Sequence, residues 1–431
     1  MLQFLHTYRS IFLIFPVLFV AGNLFEPLSY LLLLVMMLYW VGNGQDNVMI
    51  IAMLFILILG DSRSPSLDFM KNLRILAILM LAMRSMYDMV TGKYRFNRLL
   101  LYSLPFFIVA IAGGLLNPRI GTSMAKMLSY FFLLMLALNY FPYHFRRNRG
   151  RMIMDIVYVS VVVFFMGLVF IAINPGFVYF GERYRGLLGN PNGLGLYAAM
   201  MFPMMMIAWK RFPHKRNTLR LAMGLLIFSV LLCKSRTALG TIGIFYFLYY
   251  FHTHGKALKV GLWLFVLPSL ALFFLLVDIP ALLFSLGVGE YLRAESITTG
   301  TGRFLAWGLG WAEILQNPWI GRGFAYEEYF FFQLREMLVT TEHQGGIHNS
   351  YLTFLMNNGF IGLLLFLSFL FMLFRKISIP GFGVPFVVAM LISANFESWL
   401  NSSLNAFTIH FLMTLTVLIM YPKLTKAPPA K

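Results

Sequence analysis

Acidic residues are scarce in this chain and cysteine is almost absent. Of 431 residues only 16 are Asp or Glu, against 34 Lys or Arg, and charged residues make up 12%. A soluble domain carries about 25%, so an ordinary soluble protein is excluded. The single cysteine, Cys233, lies in an apolar run; it permits no internal disulfide and reads as a small packing residue. Short strands of alternating polarity are missing too, which excludes a transmembrane barrel. The sequence has no Asp-x-Asp pair, no His-Glu-x-x-His, no Walker loop and no strand–glycine–helix dinucleotide unit. No metal and no cofactor is therefore expected. The carboxylates Asp88, Asp155, Asp278 and Glu397 fall near span ends or in loops, and no inverted repeat is visible. Both absences speak against an ion-coupled transporter of lipid or polysaccharide.

What the chain has in abundance is apolar sequence. Hydrophobic residues are 60% of it. Apolar runs recur from Ile11–Gly22 to Phe407–Tyr421, and only helices or closed barrels satisfy their backbone in lipid. The expected fold is an all-α polytopic membrane protein, read as a single multi-span domain over 1–431 with about 12–14 transmembrane helices. The first three runs are short, so one or two could be re-entrant. The first reads as a span and not as a cleaved leader, because further apolar segments follow at once.

Orientation follows from the basic residues. With the N-terminus inside, the even-numbered connections hold Lys93, Arg95 and Arg98, then Arg146, Arg147, Arg149 and Arg151, then Lys210, Arg211, Lys215, Arg216 and Arg220, and later Arg375 and Lys376. The formal net charge of +18 is thereby explained by orientation and by anionic inner-leaflet lipid, and no nucleic-acid partner is needed. The informative cations are on the other side: Arg183 and Arg185, Lys234 and Arg236, and Arg303. Any one of them could be a snorkelling anchor. Several on one face suit an anion, because the guanidinium fork donates two parallel hydrogen bonds to a phosphate.

One long outward connection, residues 278–349, is too long for a simple turn. In it Phe304, Trp307, Trp311, Ile314 and Leu315 recur at helical spacing. Such a helix would lie in the outer interface or pack on its own spans. The aromatic stretch Tyr329 to Phe332 invites the same two readings. His348-Asn349 closes the loop at the membrane rim, where the histidine reads equally as structural or catalytic. Glu397 reads first as a helix cap and second as a group that could orient His348. The glycine-rich run Gly186 to Gly193 reads as a tight outer turn, with Asn192 near the start of the next helix.

These residues together resemble the O-antigen ligase and polymerase superfamily. Arg183-Tyr184-Arg185-Gly186 with Asn190-Pro191-Asn192 is similar to its first arginine element, and Ser235-Arg236-Thr237-Ala238 to its second. Gly302-Arg303, Trp307, Pro318, Gly321-Arg322-Gly323, His348-Asn349-Ser350-Tyr351-Leu352 and Asn358-Gly359 with Gly362 resemble its signature loop and following span. The likeness covers about residues 180–375; the first 175 match only in being multi-span. It implies a metal-independent, inverting glycosyltransferase of the bacterial inner membrane, active on the periplasmic face. The implied donor is a glycan on undecaprenyl diphosphate. The acceptor would be a sugar hydroxyl of lipid A-core for a ligase, or another carrier-linked glycan for a polymerase. The elements read together are closer to the ligase pattern. Protein O-oligosaccharyltransferases, which often carry an extra C-terminal domain, are a less fitting branch. By the same resemblance Arg183 and Arg236 hold the diphosphate, His348 takes the acceptor's proton, and Arg185, Lys234, Arg303 and Asn349 bind substrate. Whether Arg183 or its neighbour Arg185 is the main ligand stays open at this point.

Overall fold

A computed structural model describes residues 1–148, 150–253, 284–291, 303–339, 346–379, 381–402 and 404–425. The expected span Val260–Val277 lies outside them. The described chain is helical apart from one two-stranded hairpin, Tyr179–Phe180 against Arg183–Tyr184. Six helices among the described residues are long and apolar enough to cross a membrane: Arg98–Leu115, Ile120–Arg147, Arg151–Ile173, Pro191–Arg211, Pro213–Cys233 and Ser350–Phe374. Shorter apolar helices run over Arg9–Leu24, Glu26–Gly42, Asp46–Leu59, Gly383–Ala394 and Ala406–Pro422. The all-α polytopic architecture read from composition is what the chain forms. The described residues fall into two compact units.

The first unit holds residues 1–102, 128–233 and 402–431. Its centre is the Pro191–Arg211 helix, which is 83% buried along its apolar window. Asn190 caps it, its side chain accepting the Gly193 N–H at 2.7 Å, and Pro191 occupies the first turn, where no N–H is needed. Asn192 is the second residue of this helix, near its start as expected. The Asp46–Leu59 helix is apolar on every side and buried from Val48 through Ile58, as a helix without a polar face must be. At about 1.5 Å per residue its 14 residues reach only about 21 Å, short of a ~30 Å hydrocarbon core.

The second unit holds residues 103–127 and 234–401. Hydropathy reads residues 351–374 as one run, yet the Ser350–Phe374 helix is broken at Gly359, whose φ of 62° and ψ of −175° are open to glycine alone. A break in a membrane helix leaves backbone groups that must find partners. The segment 318–323 supplies them. Arg322 and Gly323 donate their N–H groups to Met356 O and Asn357 O at 3.2 and 2.6 Å, and Phe360 and Ile361 donate theirs to Pro318 O and Trp319 O at 2.7 and 3.1 Å. Gly321 and Gly359 permit the approach, because a Cβ at either would overlap the facing backbone. The Asn117 side chain then holds Arg322 O and Phe324 O at 2.8 and 3.2 Å. The sequence elements Pro318, Gly321-Arg322-Gly323 and Asn358-Gly359 thus form one interlock.

Gly359→Ala should therefore destabilise strongly, by roughly 1–3 kcal/mol for the backbone alone with the overlap added. Gly308, helical with open space around its Cα, is the control. Gly308→Ala should be neutral or slightly stabilising, since Ala is the better helix former. Thermal unfolding of both variants in detergent checks this, and equal midpoints would refute the interlock.

Within each unit, bonded connections pair as an alternating chain requires. Gly189 donates to Asp61 Oδ2 at 3.2 Å and Arg74 to Leu404 O at 2.5 Å, all at connections assigned outward. Asn148 donates to Asn47, and Arg84 and Lys93 hold Asp46 and Asp88, at connections assigned inward. In the second unit Lys126 pairs with Glu328 near connections assigned outward.

Candidate functional site

In the second unit the chain brings His348, Arg303 and Glu397 together. Glu397 Oε2 faces His348 Nδ1 at 3.2 Å, and Arg303 Nη2 donates to Glu397 Oε1 at 3.1 Å. Arg303 and Glu397 are nearly buried, at 17% and 14% side-chain exposure, while His348 keeps 32%. A partly shielded carboxylate thus sits behind a more open imidazole. Glu397 lies beyond the end of the Gly383–Ala394 helix, whose C-cap is Asn395. The cap reading of this residue is corrected, and its other reading, as partner of His348, is what the geometry gives.

Segment 397–400 is stitched to the start of the Ser350–Phe374 helix, which fixes that partnership. Ser350 Oγ donates to Glu397 O at 2.7 Å and accepts from Trp399 N and Leu400 N at 3.1 and 3.2 Å. The Asn349 N–H is held by Ser398 Oγ at 2.9 Å. Asn349 Oδ1 caps the helix, accepting from Tyr351 N and Leu352 N at 3.0 and 3.1 Å. His348 itself is left-handed, with φ of 46°. Only Lys234 and Ala325 share that state among the described non-glycine residues. Two of the three are thus candidate site residues, where such strain tends to collect.

Burial alone would pull the His348 pKa down. The hydrogen bond and the charge of Glu397 outweigh it and leave the imidazole above its ordinary range, with Arg303 opposing and Glu327 assisting. A base must be neutral to act, so a rate that depends on His348 falls as pH drops through this raised pKa. Glu397→Gln removes the group that raises it. The acid limb of the pH–rate profile should then move to lower pH, with a reduced plateau from the weaker base. A limb that stays in place in the variant would disconnect Glu397 from the titration.

The other candidates sit as follows. Lys234 is left-handed and stacks its ammonium 5.8 Å from the Tyr291 ring. Arg236 begins the Arg236–Thr253 helix, half-buried, behind Ser235, whose Oγ accepts the Ala238 N–H at 3.4 Å. In the first unit the hairpin presents Arg183 at its second strand. Arg183 donates from Nε and Nη2 to Cys233 O at 3.1 and 3.0 Å, a carbonyl at the C-terminal end of the Arg216–Cys233 helix, and from Nη2 to Asn192 Oδ1 at 2.8 Å. Asn192 is thus a partner of Arg183. Arg185 is buried and donates to Phe177 O at 3.2 and 3.0 Å and to Gly189 O at 3.5 Å. It staples the turn that leads to Asn190. Of the adjacent pair, Arg183 is the more exposed.

The Arg303–Ile314 helix packs one face and exposes the other. Ala306, Gly310 and Ile314 face inward and the Trp307 indole bonds Ile347 O at 2.8 Å, whereas Phe304, Trp311 and Leu315 are exposed. In the Tyr326–Gln333 helix Phe331 is buried and Phe332 exposed. No group of three or more His, Cys, Asp or Glu that could hold a metal ion occurs among the described residues.

The chain is an all-α, multi-span membrane protein that brings His348, just before a broken helix, together with Glu397 and Arg303. A family model described as O-antigen ligase matches residues 221–367, and over that region the chain is similar to the O-antigen ligase superfamily. Lys234, Arg236, Arg303, His348 and Asn349 lie inside the matched region; Arg183, Arg185 and Glu397 lie outside it. No curated protein matches the chain.

Proposed function

We propose that the chain is an O-antigen ligase. It moves a glycan from undecaprenyl diphosphate to a sugar hydroxyl of lipid A-core, on the periplasmic face of the inner membrane, with inversion and without a metal. The observation that carries this reading is the Glu397–His348 contact at 3.2 Å. A carboxylate on Nδ1 fixes the imidazole tautomer and supports the imidazolium, so the base works through Nε2 on the acceptor hydroxyl. As the acceptor oxygen attacks the anomeric carbon, the bond to the diphosphate breaks and the carrier leaves with the added negative charge. Arg183 and Arg236 are the residues assigned to that charge, with Lys234, Arg185 and Arg303 as supporting cations. Asn349, whose carboxamide oxygen is taken by the helix cap, contributes to substrate through its amide nitrogen. The exposed Phe304, Trp311 and Leu315 suit contact with membrane lipid.

The second reading, a polymerase with carrier-linked glycan as acceptor, uses the same residues and differs in product. Purified protein given carrier-linked glycan, with and without lipid A-core, separates the two. A ligase transfers one intact glycan to the core and makes no ladder from the donor alone. A ladder of lengthening glycans without core would replace ligase by polymerase.

A further inference from the structure

Glu327 is buried and has no part in the chemistry above. Its Oε1 accepts the Ile347 N–H at 3.1 Å, and its own N–H is donated to Asn357 Oδ1 at 2.9 Å, beside the helix break. From another element, Trp307 Nε1–H donates to Ile347 O at 2.8 Å. Both polar backbone groups of Ile347 are thus held by side chains, while its own side chain is buried in an apolar cluster with Ala306, Ile314 and Tyr326. One residue beyond His348, the Asn349 N–H is fixed by Ser398 Oγ. His348 lies between two immobilised neighbours, in a left-handed state that a β-substituted residue leaves when nothing holds it.

We propose that Glu327 is a positioning residue which, with Trp307, locks Ile347 and so keeps His348 in the backbone state that turns its imidazole to Glu397. This rests on the reading of His348 as the base. The function resides in the accepting oxygen. A neutral amide supplies that oxygen equally well, which separates positioning from a charge or proton role. Burial first, then the charge of Glu328, raise the Glu327 carboxyl above the ordinary range, while the Ile347 N–H opposes them.

The test uses the full chain in lipid nanodiscs with carrier-linked glycan and core acceptor, reading turnover, donor affinity and the pH–rate profile. Displacing a catalytic group by about an ångström costs up to about a hundredfold, so E327L should lose about ten- to a hundredfold in turnover, with donor affinity within about twofold. E327Q should recover turnover to within about threefold of the wild type by the same measure. Its acid limb should move slightly to lower pH, because one of the anions facing the imidazolium is gone while Glu397 and Arg303 remain. W307F, which loses the other half of the clamp, should fall in the same direction as E327L. Wild-type turnover in E327L would overturn the proposal, as would E327Q impaired as deeply as E327L. If E327L does not fold, W307F decides, and undiminished turnover there overturns it. H348A in the same assay separates the two levels. Near-normal transfer by H348A removes the base itself, whereas loss in H348A beside full turnover in both E327L and W307F removes only the clamp.

Discussion

His348→Ala is expected to slow glycan transfer by about 10²–10⁴-fold, the span that a positioned base contributes, while binding of the carrier-linked donor stays measurable. The separation follows from what the residue touches. Its Nδ1 is tied to Glu397, which belongs to proton transfer from the acceptor, and the donor's diphosphate is assigned to arginines elsewhere in the chain. The effect should therefore appear in kcat and not in donor affinity. The side chain keeps 32% exposure and does not fill the core, so its truncation should leave thermal stability close to that of the wild type. Comparable rates for the variant and the wild type at saturating donor would remove His348 from the chemistry.

Arg183→Ala and Arg236→Ala are each expected to cost about 10²–10³-fold in transfer, the usual loss when one donor to a developing charge is removed from a dry site. They should differ in stability. The Arg183 guanidinium also satisfies Cys233 O and Asn192 Oδ1, so its loss leaves polar groups to be resolvated and should lower the unfolding midpoint somewhat as well. Arg185→Ala should act chiefly on stability, since that side chain is buried and staples Phe177 O and Gly189 O. Lysine at 183 keeps the charge but loses the fork, and should restore only part of the rate. The measurement is transfer rate beside thermal midpoint for all four variants. Near-normal transfer by Arg236→Ala would break the assignment of the leaving-group charge. Arg185→Ala inactive but fully stable would make Arg185 the principal diphosphate ligand.

The membrane class was legible because hydropathy is a local, additive property, and the six long apolar helices overlap runs visible as sequence. His348 and the displaced arginines were singled out through residue type, the side of the membrane assigned to them and their likeness to a family. Glu397 was not read correctly. Its partner lies 49 residues away, and a carboxylate near a span end has a local explanation, capping, that sequence cannot weigh against a distant imidazole. The break at Gly359 was hidden for a similar reason. An apolar run shows no gap, and the groups that satisfy the break come from segment 318–323. The glycines of that segment were visible as a motif, but their reason is contact with a backbone far along the chain. Which asparagine caps the helix was not legible, because two of them flank Pro191 and only the hydrogen bonds separate cap from arginine partner.

The proposed activity of this chain is cleavage of a glycosidic bond to a lipid diphosphate, as opposed to mere movement of lipid across the bilayer. It is tested most directly with the purified chain in proteoliposomes, given carrier-linked glycan and lipid A-core, by quantifying free carrier diphosphate and glycan-bearing core together. One carrier diphosphate should be released for each glycan transferred, with both products lost in His348→Ala. Carrier-linked glycan that changes leaflet with its glycosidic bond intact, and no carrier diphosphate set free, would contradict it.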